Sequence, residues 1–343
     1  MRSLKPAYLL NFSLLGMALA LSVAFGAVSI PPATLARILA SRLVGEIPLS
    51  AWPETFNTIV YQIRLPHTIL MALTGAALGG SGATYQGLFR NPLADPYLIG
   101  VASGAGLGAV LAITFAASLP LLGLYTVPAA AFIGAVVTVL VVYTLARTGR
   151  AVPTTTLILA GVAVGSFASA LTSFLMLSTQ GEVRRALAWL LGGYTLSGWA
   201  PVWAVLPYMA VGLAALLTFG HPLNVLQFGD EQAQQLGLPV DRTRTLVILA
   251  ASLTTAAAVS FSGIIGFIGL IVPHLARLRW GVDYRHLIPL SILGGATSLL
   301  IADLLSRLVL APQEVPVGIL TALAGTPFFL WVLKRSQRAP VGE

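Results

Sequence analysis

The sequence predicts an all-α membrane protein with ten transmembrane helices per subunit. Of its 343 residues, 57% are hydrophobic and 9% are charged, whereas a soluble domain carries about 25% charged residues. The length accommodates about ten spans of ~20 residues with short connections. The sparse charges also divide the chain into apolar stretches of the length that a span needs. These observations exclude a water-soluble globule and a disordered chain.

Eight charge-free stretches can each hold a span, and they cover residues 6–36, 65–89, 96–146, 151–181, 186–229, 245–276, 286–302 and 315–333. The third stretch is too long for one helix, and Pro120–Gly123 predicts a break that divides it. The sixth has Gly263, Gly266 and Gly269 near its middle, so a second, short span is expected there, ended by Pro273. The two divided stretches bring the total to ten.

The fifth stretch is long enough for two spans, but its first half is interrupted. Gly192, Gly193, Gly198 and Pro201 lie there, and this pattern predicts a broken or surface-lying piece. One span at about 202–219 is expected to follow it.

The positive-inside rule gives an orientation. The first apolar run, Ala7–Val28, exceeds the ~7–15 residues of a signal-peptide core, so an uncleaved first helix is predicted. With the N-terminus inside, thirteen Lys and Arg fall on inner segments: Arg2, Lys5, Arg90, Arg147, Arg150, Arg242, Arg244, Arg277, Arg279, Arg285, Lys334, Arg335 and Arg338. Six fall on outer segments: Arg37, Arg42, Arg64, Arg184, Arg185 and Arg307. Both termini are therefore predicted to face the cytoplasm.

A faint internal repeat is present in the sequence. Leu73–Ala77 reads LTGAA and Leu253–Ala257 reads LTTAA, and each is followed by a Ser-Gly pair and then by a proline eleven residues after the serine. Inverted repeats occur in secondary transporters that work alone. Ala- and Gly-rich membrane helices also resemble one another by chance, so both interpretations stay open.

The sequence lacks the groups that catalysis or metal binding needs. It has no cysteine, and His67, His221, His274 and His286 are scattered without an HExxH pattern. A GxxxxGK[ST] loop is also missing, so an ATP-driven process would need its ATPase on another chain. We predict no catalytic residue, no metal and no cofactor.

The charged residues indicate topology and structure instead of chemistry. Asp303 precedes Arg307 by four positions, which predicts a structural ion pair at an outer helix end. Acids in mid-membrane, which mark proton-driven carriers and ion pumps, are not found in this interpretation. The net charge of +8 is typical of membrane topology and does not indicate a nucleic-acid partner.

Residues 221–245 form the longest polar segment on the predicted inner side. Asp230 is expected to cap a short helix whose first turn carries Glu231, and Gly237 is expected at its left-handed end. A capped helix at the inner surface favours docking onto a partner, and a solvated connector is the alternative.

Three further motifs are informative. The segment RNPLADPYLIG from Arg90 predicts a tight inner turn in which Asp95 caps the next helix. The segment GFIGLIVPHLARL carries His274, which we interpret as a packed interfacial residue and not a metal ligand. The segment VPVGILTALAGTPFFLW contains Gly325 and Pro327, which predict a bend in the last span.

Together with GDEQAQQLG, these motifs resemble signature stretches of the iron-chelate, haem and cobalamin permeases, the membrane subunits of type II ATP-binding-cassette (ABC) importers. The resemblance extends from about residue 60 to the C-terminus, in order and with the family's spacing. It implies one permease domain over residues 1–343, a homodimer, two cytoplasmic ABC ATPase subunits, and a periplasmic or surface-anchored substrate-binding protein.

The resemblance also implies residue roles. Three residues at the outer side would dock the binding protein, namely Arg64, His67 and Arg307, and His67 stands where several relatives have a second arginine, which makes that contact pH-sensitive. Thr154 and Thr155 would form the cytoplasmic gate. The coupling helix within 221–245 would contact the ATPase through Asp230, Glu231, Gln234, Leu236 and Gly237.

The expected function is import of an iron chelate, haem or cobalamin across the cytoplasmic (inner) membrane of a prokaryote. ATP hydrolysis on the partner chain would drive alternating access along a homodimer axis. The rival interpretations are a stand-alone secondary transporter with inverted repeats and a channel-like membrane protein, for which no selectivity ring is apparent.

Overall fold

The computed structural model describes residues 4–26, 28–44, 52–115, 120–149, 152–178, 181–193, 198–311 and 313–338. Its α-helices are α1 Lys5–Ala24, α2 Pro32–Val44, α3 Glu54–Thr58, α4 Leu65–Leu88, α5 Val101–Phe115, α6 Thr126–Ala146, α7 Thr154–Ser178, α8 Val183–Leu190, α9 Trp199–Thr218, α10 Gly220–Leu226, α11 Asp230–Gln235, α12 Val240–Ser262, α13 Ile268–Trp280, α14 Tyr284–Leu308 and α15 Val317–Arg338. A π-helical turn, Ile59–Arg64, leads into α4, and a 3-10 helix, Pro120–Tyr125, leads into α6.

Ten of these helices correspond to the predicted spans. Six are long and apolar enough to cross a membrane, namely α1, α6, α7, α9, α12 and α14. Helix α5 and the Val317–Val332 part of α15 are shorter and apolar, α4 is a 24-residue helix that is mostly buried, and α13 has 13 residues. Over the described residues, the predicted all-α fold with ten transmembrane helices is confirmed.

The predicted breaks in the long stretches are also found. The 3-10 helix separates α5 from α6, and α8 with the following turn precedes α9 as expected for an interrupted fifth stretch. Gly263 has a φ of 76° and ends α12, and Phe267, with a φ of 68°, precedes α13. The glycine-rich segment therefore divides the sixth stretch into a long and a short helix.

The expectation that Pro273 ends the short span is wrong. Pro273 lies inside α13, which continues to Trp280. A proline six positions into a helix removes one backbone hydrogen bond, the one to the carbonyl of Gly269. That carbonyl lies against Gly82 of α4, so the helix continues past the proline while its first turn packs closely on α4.

Helix α4 lies at the centre of the bundle because its small residues allow close contact with three neighbours. A Cβ atom at Gly75 would collide with the backbone of Gly295 in α14, and one at Gly82 would collide with the backbone of Gly269 in α13. On the side of α12, the Tyr85 hydroxyl lies 2.6 Å from that of Ser252. Small residues are a general means of bringing membrane helices close together.

Between α1 and α4 the chain forms a small layer that the sequence analysis did not predict. Ile30, Leu35, Ile38, Trp52 and Val60 are buried together with Val23 in a hydrophobic cluster of their own. The layer covers the exit of α1 and carries the π-helical turn that leads into α4.

The bundle has two polar ends. Helices α4 and α14 run in opposite directions, so that His67 near the start of α4 meets Asp303 near the end of α14, 2.8 Å apart. We call this the Asp303 end. The end of α4 and the start of α12 meet α11 at Asp230, and we call this the Asp230 end. Helix α1 begins at the Asp230 end, where the Tyr8 hydroxyl lies 3.1 Å from His286 Nδ1.

Candidate functional sites at the two ends of the bundle

Helix α11 is a short surface helix with a glycine at each end. Gly229 and Gly237 have φ values of 103° and 85°. The Leu238 N–H donates to the Ala233 carbonyl at 3.0 Å, and the Gly237 N–H donates to the Gln234 carbonyl at 2.9 Å. This pair of bonds closes a helix at a left-handed residue. The predicted helix end at Gly237 is therefore confirmed.

The surface of α11 and its flanks is exposed and partly apolar. Glu231 and Gln234 are exposed, and Leu236 is 67% exposed. Phe228, just before the helix, is also 67% exposed. Phe228 is absent from the residues predicted to contact a partner, although a large apolar residue within a polar segment was the available signal. This surface offers two apolar side chains beside polar ones, as a protein-docking surface does.

The prediction that Asp230 caps α11 is wrong. Gly229 occupies the cap position, and no side chain caps the helix. The Asp230 carboxylate instead accepts hydrogen bonds from Arg90 Nη2 at 3.3 Å and Arg244 Nη2 at 2.9 Å. These two charge-assisted bonds to guanidinium groups hold the carboxylate away from the first-turn N–H groups.

Helix α10 is fixed to the same end of the bundle. Asn224 Nδ2 donates to Asp283 Oδ1 at 2.6 Å, and its Oδ1 accepts from the Tyr284 N–H at 2.9 Å. Gln227 Nε2 donates to the Gly87 carbonyl at 3.0 Å. The hydrogen bonds from Arg285 hold the pKa of the Asp283 carboxyl well below its usual range. Asp283 is therefore ionised and can bind Asn224 and Arg285 together.

The loop between α4 and α5 is also ordered by side chains. The Asp95 carboxylate accepts the Tyr97 N–H at 2.8 Å, and α5 begins only at Val101, so the predicted capping of the next helix by Asp95 is wrong. The Tyr97 hydroxyl donates to the Ile265 carbonyl at 2.9 Å. Burial raises the pKa of Asp95 to about 6. The loop packs against the break between α12 and α13.

At the Asp303 end, the predicted ion pair is present within a larger network. Arg307 Nη2 lies 2.9 Å from Asp303 Oδ2, which confirms the pairing expected from their spacing. His67 binds the other carboxylate oxygen. Arg307 also donates to the Ser22 hydroxyl at 3.0 Å and to the Phe25 carbonyl at 3.2 Å. The network joins α1, α4 and α14, which sequence spacing alone could not show.

Arg64 is bound within the chain at the same end. Its guanidinium donates to the carbonyls of Val23 and Ala24 at 3.1 and 3.0 Å, and to that of Val28. Arg64 and Arg307 are 5% and 7% exposed. Docking of a partner by these arginines stays a prediction, and in this structure both guanidinium groups are engaged by hydrogen bonds within the chain.

The predicted gate residues begin α7 at the Asp230 end. Thr154 is its first residue, and Thr155 is exposed. One face of α7 carries hydroxyl groups at Thr155, Ser166, Ser169 and Ser173, and all four residues are exposed in the single chain. Leu159 and Val162 on the same face are apolar and also exposed, and the Ser173 hydroxyl donates to the Ser169 carbonyl at 3.0 Å. The hydroxyl groups favour a protein or water neighbour over part of this face, because lipid tails offer no hydrogen bonds.

The side chains at the two ends of the bundle are suited to binding a partner protein and to moving helices. Among the described residues, no group of three or more His, Cys, Asp or Glu could hold a metal ion. An apolar cavity of about 450 Å³ lies among α6, α9 and α12, with Phe132, Tyr208 and Phe261 in its wall. Aromatic and small side chains line this cavity together, and it lies in the space left between the packed helices.

The fold and the two ends define a multi-pass membrane transport protein, and comparison with known proteins identifies its family. Residues 14–335 match the FecCD transport family. The cobalamin import system permease protein BtuC of Halobacterium salinarum is 49% identical over 84% of this chain and 76% of its own length. The hemin transport system permease protein HmuU of Yersinia pestis is 40% identical over 89% of this chain and 93% of its own.

A solved structure agrees with these relatives. It shows the inward-facing conformation of a metal-chelate type ABC transporter, is 28% identical, and superposes with a TM-score of 0.81 over 97% of this chain and 99% of its own. The chain belongs to the FecCD transport family and is an ABC importer permease subunit. This result confirms the resemblance drawn from the four motifs, and it decides against the stand-alone secondary transporter.

Proposed function

We propose that this permease moves a metal-bound macrocycle, cobalamin or haem, or a related iron chelate, into the cytoplasm. The 49% identity with a cobalamin permease is the observation that carries the substrate class. The haem permease relative extends the class to a second metal-bound tetrapyrrole. Both are large, rigid macrocycles that hold a metal ion.

We propose that a second copy of this chain completes the pathway. The hydroxyl-bearing face of α7 supports this arrangement, since Thr155, Ser166, Ser169 and Ser173 are exposed in one chain. Across a twofold axis, two such faces would line a water-accessible route. Thr154 and Thr155 lie at its Asp230 end and would form the narrow cytoplasmic gate.

We propose that the Asp230 end faces the cytoplasm and binds two ABC ATPase subunits. The exposed surface of α11, formed by Glu231, Gln234 and Leu236 with Phe228 beside it, supports docking into a cleft of the ATPase. Both described chain ends lie on this side if the ten spans alternate in direction. ATP hydrolysis would reside on the ATPase subunit, with movement of helices as the contribution of this chain.

We propose that the Asp303 end faces outward and receives a periplasmic or surface-anchored binding protein. Arg64, His67 and Arg307 stand at the positions that the family resemblance assigns to docking. Because their side chains are bound internally, we expect a docked partner to compete for them through its own acidic groups. Association should therefore weaken as the salt concentration rises.

Transport by the purified complex tests the function. The permease is tagged, purified with its ATPase, reconstituted in vesicles with the binding protein, and supplied with radiolabelled cyanocobalamin or haemin. We expect ATP-dependent uptake of one of them and retention of the ATPase by the tagged permease. Retention of the ATPase without uptake of either probe would overturn the tetrapyrrole assignment. Uptake without any ATPase would overturn the importer.

Labelling tests the orientation, because the native chain has no cysteine. Thr148, in the turn between α6 and α7, and Arg184, in the first turn of α8, are both exposed. We expect T148C to react only with a membrane-permeant maleimide and R184C to react with an impermeant one. The reverse pattern would place the Asp230 end outside.

A further inference from the structure

The two arginines that hold Asp230 belong to different helices of the bundle. Arg90 follows the end of α4, and Arg244 lies in the second turn of α12. Each binds a different oxygen of the Asp230 carboxylate, at 3.3 and 2.9 Å. Through one side chain, α11 is therefore bound to α4 and to α12 at once. We call these three residues the Asp230 clamp.

Asp230 is the main polar connection of α11 to the bundle. Within the part of the chain that the structure describes, no other α11 side chain forms a hydrogen bond to another helix. The bonds from Asn224 and Gln227 hold α10 instead. A displacement of α11 therefore reaches the membrane helices mainly through the Asp230 carboxylate and the contacts of the α10–α11 turn.

Burial makes the Arg244 half of the clamp rigid. The Arg244 side chain is 10% exposed, against 40% for Asp230, and its Nε has no hydrogen-bond partner. Its guanidinium depends on Asp230 for a counter-charge. A buried cation without its partner is strongly unfavourable, so Arg244 holds Asp230 in place.

Arg90 has a left-handed backbone conformation, which is unusual for a residue other than glycine. Arg90 has a φ of 51°, and Phe267 is the other non-glycine residue of the described chain with a positive φ. Its N–H donates to the Gly87 carbonyl at 3.3 Å, and the Asn91 N–H donates to the Gln86 carbonyl at 3.2 Å. Helices that end in this way usually place a glycine at this position. An arginine with a strained backbone here marks a function for its guanidinium.

The two helices joined by the clamp are packed on each other further inside. Five residues before Arg90, the Tyr85 hydroxyl donates to the Ile248 carbonyl at 3.2 Å and lies 2.6 Å from the Ser252 hydroxyl. Ile248 lies four residues after Arg244 on α12. Helices α4 and α12 should therefore move together when the clamp is displaced.

We infer that Arg90 and Arg244 are the positioning residues that transmit movement of α11 to α4 and α12. The inference rests on the proposed function, because the ATPase is the source of that movement. Asp230 would then act inside the permease and leave contact with the ATPase to the exposed residues of α11. Without the clamp, α11 could move with the ATPase while the two helices stay where they are.

The variant R90G separates coupling from stability. Glycine suits the positive φ, so this variant should retain the fold and the thermal midpoint while it loses one half of the clamp. R244Q removes the other half, and R285Q is the matched control. Arg285 is an exposed arginine of the same end, and its side-chain hydrogen bonds within the described chain go only to Asp283.

The readout is substrate molecules taken up per ATP hydrolysed, measured in vesicles with labelled cyanocobalamin or haemin, whichever the unaltered complex transports. We expect R90G and R244Q to retain the ATPase and hydrolyse ATP. In R244Q this ratio should fall about tenfold, the effect of losing one charge-assisted hydrogen bond. In R90G it should fall by a smaller factor, roughly two- to fivefold, because the Arg90 and Asp230 side chains are 44% and 40% exposed. R285Q should keep the ratio of the unaltered complex. The variant R90K should recover part of it because it restores the charge.

An unchanged ratio in R90G would overturn the inference, since that variant is expected to fold. A parallel loss of uptake, hydrolysis and thermal midpoint in both variants would also overturn it, because it would show a structural role alone. If the unaltered permease retained no ATPase, the proposed function would fail first, and this inference with it. The control R285Q separates the effect of removing any positive charge at this end from the effect of breaking the clamp.

Discussion

The Asp303 carboxylate of α14 is hydrogen-bonded to Nε2 of His67 in α4 at 2.8 Å, although the two residues lie 236 positions apart in the chain. The other oxygen of the same carboxylate binds Arg307. One buried acid therefore neutralises a cation and fixes the relative position of two spans. Arg307 in turn binds the end of α1 at Ser22, so three helices depend on a single carboxylate.

Removal of the Asp303 charge should destabilise the permease strongly. D303N leaves Arg307 buried without a counter-charge, and breaking a buried pair in this way costs roughly 3–5 kcal/mol. The free energy of unfolding in mixed micelles measures the loss. E182Q is the control, since Glu182 pairs with Arg185 at 3.9 Å and both side chains are about half exposed. That exposed pair should contribute roughly 0–1 kcal/mol, and equal losses in the two variants would contradict the prediction.

Two Gly-to-Ala changes, one where α4 meets α13 and one at an open position of α1, should have opposite effects on the free energy of unfolding. In G82A the new methyl group meets the backbone of Gly269, which cannot rotate away, so a loss of roughly 1–3 kcal/mol is expected. In G16A the methyl group meets no atom within 4 Å, and the helix should gain about 0.5–1 kcal/mol. Unfolding of both variants under the same conditions tests this. Tolerance of G82A would mean that the two helices separate easily.

The sequence was sufficient for the fold because each span satisfies its own backbone, so composition and breaker residues locate it. The breaks at Gly263 and Pro120 were therefore predictable. Pro273 was misjudged because the effect of a proline depends on where it lies within the helix. The outcome at such a position depends on packing as well as on the residue itself.

The candidate sites were less predictable, because their bonds join distant parts of the chain. Gly237 was recognised since helix ends have a local signature. Asp230 has the same kind of signature, yet Arg90 and Arg244 take its carboxylate instead. Nothing in the local pattern of residues 221–245 indicates that Arg90, 140 positions from Asp230, is a partner.

The stability of the permease should depend on the protonation of Asp95. Burial raises its pKa to about 6, whereas a free aspartate has a pKa of about 3.9. The folded state therefore holds the proton more tightly. The stability that protonation contributes is fully present below about pH 3.9, the pKa of a free aspartate, and is lost as the pH rises through about 6.

The variant D95N should remove this dependence. Its amide oxygen still accepts the Tyr97 N–H, so the turn is retained. We expect D95N to be more stable than the unaltered chain at about pH 7.5 and to lose that advantage as the pH falls to about 4.5. Because other groups titrate in both proteins, the difference between their thermal midpoints is the quantity to follow. A difference that does not change with pH would show that Asp95 stays ionised.

The left-handed end of α11 predicts a transport defect that leaves the bundle intact. In G237V a β-branched residue must adopt a φ near 85°, a strain of roughly 1–2 kcal/mol that disturbs the helix end. A methyl group added at Gly237 would meet no atom within 4 Å, so the effect is one of backbone and not of collision. The matched control is G149V, which places the same side chain at a φ of 64°, also in open space, in the turn between α6 and α7.

Uptake and ATP hydrolysis in vesicles, measured beside the thermal midpoint, distinguish the two glycine positions. We expect G237V to lower uptake and to alter ATP hydrolysis, because a distorted α11 presents Leu236 wrongly to the ATPase. Its thermal midpoint should equal that of G149V, which should transport normally, since the two variants carry a similar backbone strain. Full uptake by G237V would make the α11 segment a solvated connector, and the contact with the ATPase would then have to lie elsewhere on the Asp230 end.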